Sequence, residues 1–95
     1  MYYILFYEFI EGYLEKRTPF RQEHFNHLKE YIQSEKLRLA GAFADPADSA
    51  ALVFKVDEKD LIEDFVKNDP YYKNGLIINY KIREWTVVAG SDLSK

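Results

Sequence analysis

The sequence predicts an α+β domain whose strands and helices follow one another as β-α-β-β-α-β. Three observations lead to that order. Residues 2–9, YYILFYEF, are dense in aromatic and β-branched side chains, as strands are. Thr18-Pro19 opens a long stretch in which apolar residues recur at helical spacing. Two further apolar runs, 37–44 and 50–56, flank the turn-forming DPADS at 45–49.

Taken in order, residues 2–9 form the first strand. Thr18 caps the first helix with Pro19 at its first position, and the helix runs to about Glu35. LRLAGAFA, 37–44, and residues 50–56 are the second and third strands. Asp57 caps a second helix through Lys67, with Leu61, Ile62, Phe65 and Val66 as its apolar stripe. NDPYYKNG breaks the pattern, and GLIINYKIREW, 75–85, is the last strand. This is the ferredoxin-like arrangement, an antiparallel sheet with both helices on one face. A chain of 95 residues holds one core. We assign residues 1–90 to that domain and 91–95 to a loose C-terminal tail. TVVAG, 86–90, is expected as an extra edge segment or a crossing to a partner.

A sheet with its helices on one face should be polar on the other. Here Tyr3, Leu5, Tyr7 and Phe9 share one face of the first strand, yet Tyr2, Ile4 and Phe6 occupy the other. The second strand offers Leu37, Leu39 and Phe43 against Ala40, Ala42 and Ala44. Two apolar faces imply a cover for the second, and a second copy of the sheet supplies one, giving a homodimer.

Composition excludes several function classes. A net charge of −3 and a pI near 5.3 argue against a nucleic-acid partner that needs a basic surface. With no cysteine there are no disulfides or thiolate ligands, and the two histidines lack clustered acids. No metal is expected, and with no nucleotide or phosphate-loop motif, no cofactor. MYYILFYEF has no basic lead and is broken by Glu8, so it reads as a strand rather than a signal peptide. No run is long enough to span a bilayer, which leaves a soluble, cytoplasmic protein without a membrane partner. Aromatics at 17% suit a pocket or an interface, where Tyr pairs an apolar body with a polar tip.

The candidate site begins in RTPFRQEHFNHLKEYI, 17–32. At about 100° per residue, His24 falls in the apolar stripe with Phe20, Leu28, Tyr31 and Ile32. Arg17 and Arg21 project to the same side, and His27 borders it. A buried polar group without a partner costs about 1–3 kcal/mol, so His24 needs one. It is either a histidine held for packing or, with two arginines beside it, part of a site for an anion. Asp69, in DPYYKNGL, caps a short helical turn with Pro70 behind it, and Gly75 lets the chain reverse. The same carboxylate is a candidate partner for His24, fixing its tautomer for general acid–base work. Phe6, Tyr71 and Tyr7 are candidate pocket walls. Asp45, Pro46 and Asp48 read as a turn, and Ser34, Ser49, Ser91 and Ser94 stand at element ends, without support for a nucleophile.

In combination, YYILFYE, EKRTPFRQEHFNHLKEY, LAGAFADP and NDPYYKNGL resemble the YciI-like (YCII-related) family over nearly the whole chain. The resemblance implies a ferredoxin-like fold assembled as a dimeric α+β barrel, sheet face to sheet face. It also implies a His/Asp-centred site at His24 and Asp69, with Arg17, Arg21, Pro70 and Tyr71 around it. Relatives with known chemistry include lyase or dehalogenase-type enzymes acting on ring compounds. Two departures stand out: Ala42 follows Gly41 where many members have proline, and the tail is longer than usual. The expectation is acid–base chemistry of lyase, isomerase or dehalogenase type on a small anionic or aromatic metabolite. The alternatives are a non-catalytic ligand-binding or accessory dimer, a purely structural His/Asp pair, and a cofactor-free monooxygenase.

Overall fold

A computed structural model describes residues 1–93. Strand β1 (Tyr2–Phe9) leads into a short helix α1 (Tyr13–Lys16), a 3-10 turn (Thr18–Phe20) and helix α2 (Arg21–Gln33). Strands β2 (Leu37–Ala42) and β3 (Ser49–Lys55) follow, then α3 (Asp60–Asn68), α4 (Pro70–Lys73), β4 (Ile77–Trp85) and a 3-10 turn (Ser91–Leu93). The strands form one antiparallel sheet in the order β2-β3-β1-β4. This is a ferredoxin-like α+β fold.

Alternation along β1 decides which face carries the core. Tyr3, Leu5, Tyr7 and Phe9 are buried, together with Leu52 and Phe54 from β3. Leu28 of α2 and Ile62, Phe65 and Val66 of α3 close over them. Phe65, fully buried, meets Phe54 edge-on at 5.0 Å and Tyr31 of α2 at 4.9 Å. Burying one such side chain stabilises the fold by about 1.5–3 kcal/mol. No helix among the described residues is long and apolar enough to cross a membrane.

Several local expectations are corrected. Leu37 pairs with Phe54 but Leu39 pairs with Val53, so Arg38 is an extra residue in a β-bulge. The bulge reverses the parity of β2: Leu37 stays in the core while Leu39 turns to the open face, 71% exposed. Ala40 and Ala42 thereby come to lie opposite Leu52 and Ala50 of the buried face. Phe43 falls beyond the strand end and is exposed. Asp57 does not cap α3; the helix starts at Asp60, where Asp60 and Glu63 in the first turn favour the positive end of the helix dipole. Thr18 makes no side-chain cap, because Pro19 sits in a 3-10 turn and α2 begins only at Arg21. Ile32, at the edge of the α2 stripe, is exposed.

Residues 86–90 form no strand. The chain then folds back, and Asp92 accepts hydrogen bonds from the Tyr2 hydroxyl and, at 3.3 Å, from Arg38 Nη1. The start of the expected loose tail is thus tied to β1 and to the β2 bulge; Ser94 and Lys95 lie outside the described residues. The open sheet face presents Tyr2, Ile4 and Phe6 of β1, Leu39, Val53 and Trp85, interleaved with Lys55, Lys81 and Arg83.

Candidate active site

Asp69 sits between two helices, ending α3 and starting α4 with extended backbone angles (φ −71°, ψ 123°). Pro70 in the first turn pre-sets the following helix, and the Tyr71 N–H donates to Asp69 Oδ1 at 3.0 Å. The carboxylate is fully buried, so water cannot solvate it and protein donors must. Two more arrive from distant elements. His24 of α2 meets Oδ1 through Nδ1 at 2.8 Å, and the Tyr7 hydroxyl of β1 donates to Oδ2 at 2.8 Å. A carboxylate has no hydrogen to give, so Nδ1–H is the donor, and in the neutral imidazole the lone pair is then on Nε2. No hydrogen bond from the described residues engages Nε2.

Aromatic packing fixes the ring. His24 stacks on Tyr71 with centroids 3.7 Å apart and planes 5° from parallel. Tyr71 meets Tyr13 edge-on at 5.8 Å, and Tyr13 stacks on Phe9 at 3.7 Å. His24, Tyr7 and Tyr71 line a pocket of about 240 Å³ between α2, α4 and the sheet. Drug-sized sites run to about 300–1,000 Å³, so this one suits a single-ring ligand. Ala40, Gly41, Ala42 and Ala50 leave the space open on the sheet side.

Arg17 and Arg21 line the same pocket. The Arg17 guanidinium lies 5.3 Å from the Tyr13 ring centroid, with Nη1 3.4 Å from its hydroxyl. The Arg21 guanidinium lies 5.0 Å from the Phe25 centroid. Neither forms an ion pair with a carboxylate among the described residues.

Burial, then the Asp69 charge and its hydrogen bond, hold the Tyr7 phenol protonated far above the usual tyrosine range. Burial and Tyr13 push Tyr71 up to about 12, with Arg17 and Arg21 pulling the other way. Both phenols are therefore neutral donors at physiological pH.

The structure brings His24, Asp69, Arg17, Arg21 and Tyr71 to one place. Phe6 is not there. It is one residue out of phase with Tyr7, so the pleat turns it to the opposite sheet face, beside Glu8, Asn79 and Lys81. His27 also stays apart: its Nε2–H donates to the Phe65 carbonyl at 2.8 Å and its ring stacks on Phe65. Tyr13 was not anticipated, since α1 rests on the left-handed Gly12 (φ +77°) and carries no long periodic signal. Among the described residues no group of three or more His, Cys, Asp or Glu is placed to hold a metal ion.

The YCII-related domain family matches residues 1–86, and the chain belongs to that family. No curated protein sequence matches it. Among solved structures it is similar to 5-chloro-2-hydroxyhydroquinone dehydrochlorinase (TftG) from Burkholderia phenoliruptrix AC1100, in complex with 2,5-dihydroxybenzoquinone. The TM-score is 0.78 at 21% identity, covering 90% of this chain and 94% of that one. At that identity the likeness is one of fold.

Proposed function

We propose that this YCII-related protein is a small dimeric enzyme that moves a proton on a one-ring, oxygen-bearing anion. His24 is the acid–base group and Asp69 orients it. One observation carries the reading. Among the described residues, His24 has Nδ1 on a buried carboxylate and no partner for Nε2, in a pocket shared with two arginines that pair with no acid. Packing alone gives no reason to gather two cations around a histidine; an anionic substrate does.

In this reading Nε2 takes a proton from a ring hydroxyl or from a carbon beside a carbonyl, and Asp69 stabilises the imidazolium that forms. Negative charge developing on a ring oxygen meets Arg17 and Arg21. The imidazolium then returns its proton elsewhere on the ring, or the leaving group departs with its electron pair. Proton return elsewhere on the ring is isomerase chemistry, and loss of the group is lyase or dehalogenase chemistry. The compound bound by the TftG dehydrochlorinase, 2,5-dihydroxybenzoquinone, is a ring of the right class. The apolar open sheet face supports the dimer, because a second sheet packed on it would cover Leu39, Phe6 and Trp85, all exposed in one copy.

Calorimetry with 2,5-dihydroxybenzoquinone and a panel of hydroxybenzoic acids, paired with chloride release from 5-chloro-2-hydroxyhydroquinone, tests the proposal. Losing a charge-assisted contact costs about 1.5–3 kcal/mol, so Arg21→Ala should weaken binding about 10–100-fold. His24→Ala should bind but lose about 10²–10⁴ in kcat. Binding that ignores both arginines, or turnover that survives His24→Ala, contradicts it.

A further inference from the structure

We propose that Tyr7 is a positioning residue of the site, its hydroxyl holding Asp69 Oδ2 and so setting how much negative charge Oδ1 presents to His24 Nδ1. This rests on the reading of His24 and Asp69 as the working pair. Each carboxylate oxygen has its own duty: Oδ1 takes His24 at 2.8 Å and Tyr71 N–H at 3.0 Å, while among the described residues Oδ2 takes only Tyr7, at 2.8 Å. Asp69 is fully buried and Tyr7 is 2% exposed, so no solvent can replace that hydroxyl. Without it Oδ2 would lose its donor while His24 and the Tyr71 N–H still hold Oδ1, so the carboxylate stays in place and Oδ1 carries more of the charge.

The Tyr7 ring is held independently of the bond. It packs edge-on against Phe9 at 6.2 Å and pairs across the sheet with Tyr80, whose own hydroxyl is occupied by Glu63 at 2.9 Å. Removing the hydroxyl therefore leaves the packing in place and alters mainly the carboxylate. The other charged or titratable groups facing the site are Tyr13 from α1, Arg17 beside it, Arg21 from α2 and Tyr71 from α4. None of them touches Oδ2.

A hydrogen bond to Oδ2 draws negative charge away from Oδ1. Deleting it leaves a stronger anion beside His24 and makes the imidazolium easier to form. Removing the charge in Asp69→Asn does the opposite. The test follows the ¹⁵N ring signals of His24 against pH in wild type, Asp69→Asn and Tyr7→Phe. The expected order of titration midpoints is Asp69→Asn lowest, wild type between, and Tyr7→Phe highest. If Tyr7→Phe does not fold, 3-fluorotyrosine at position 7 keeps the fold, donates more strongly, and should lower the midpoint. A midpoint that moves in Asp69→Asn but stays fixed, or moves the wrong way, on altering position 7 overturns the role of Tyr7 and leaves the pair standing. If Asp69→Asn leaves His24 unmoved, the pair itself falls, and the role of Tyr7 with it.

Discussion

Tyr7 and His24 hold opposite oxygens of one buried carboxylate, each at 2.8 Å, although they come from different layers of the fold. The Asp69 side chain thus ties β1 to α2 across the core, and the consequences reach stability as well as chemistry.

Asp69→Ala should be strongly destabilising. It strands the Tyr7 hydroxyl, the His24 N–H and the Tyr71 N–H around a fully buried position. Breaking a buried charged network of this kind costs about 3–5 kcal/mol. Asp69→Asn, which keeps the shape and one acceptor, should cost less, about 1–3 kcal/mol. Urea titration checks both through the midpoint at constant slope. Equal stability of wild type and Asp69→Ala would mean that the network holds nothing together.

Tyr7 and Tyr71 should make the fold sensitive to alkali. In the unfolded chain a tyrosine ionises near pH 10, whereas folded Tyr7 stays neutral far above that and folded Tyr71 up to about 12. Their contribution is fully present below pH 10 and is lost as the pH rises past it. Each tyrosine then removes about 1.4 kcal/mol of stability per pH unit. Between about pH 9 and about pH 11, Tyr7→Phe should therefore lose less stability than wild type. Parallel losses would contradict the assignment.

Gly75 joins α4 to β4 with φ +73°, and a Cβ there would meet nothing within 4 Å. Gly75→Ala should cost about 1–2 kcal/mol through the backbone alone. For a domain of this size 1 kcal/mol corresponds to about 4–8 °C in Tm. An unchanged Tm would show that the turn relaxes out of the left-handed region.

Dimerisation through the open sheet face is checked by light scattering. Wild type should run as a dimer and Leu39→Glu as a folded monomer, since Leu39 is 71% exposed and the substitution disturbs no core. A monomeric wild type at micromolar concentration would contradict the dimer.

The element order and the core face of β1 were legible because both depend on local periodicity. Tyr3, Leu5, Tyr7 and Phe9 alternate without interruption, and α3 carries an apolar stripe of its own. The face of β2 was not legible, since the bulge at Arg38 is decided by pairing with β3 and the residue carries no local mark of it. The start of α3 was misplaced because Asp57 is a good cap residue in isolation, whereas the helix begins at Asp60 with Lys59 in the cap position and no side-chain cap. At the site, His24 stood out by its place on an apolar helix face and Asp69 by its Asp-Pro turn. Phe6 was grouped with them by composition, although strand parity sends it to the other face. The bond from Tyr7 to Oδ2 spans 62 residues and has no sequence signature; inward parity marks Tyr7 only as buried.

The most direct measurement is carbethoxylation by diethyl pyrocarbonate, mapped by mass spectrometry with and without 2,5-dihydroxybenzoquinone. The reagent needs an accessible, unprotonated ring nitrogen. His24 offers Nε2 to the pocket, whereas His27 has its Nε2 engaged by the Phe65 carbonyl. The account predicts modification of His24 ahead of His27 and its suppression by the ligand. A His24 that resists the reagent, or reacts at the same rate with the ligand bound, would contradict a base facing a substrate pocket.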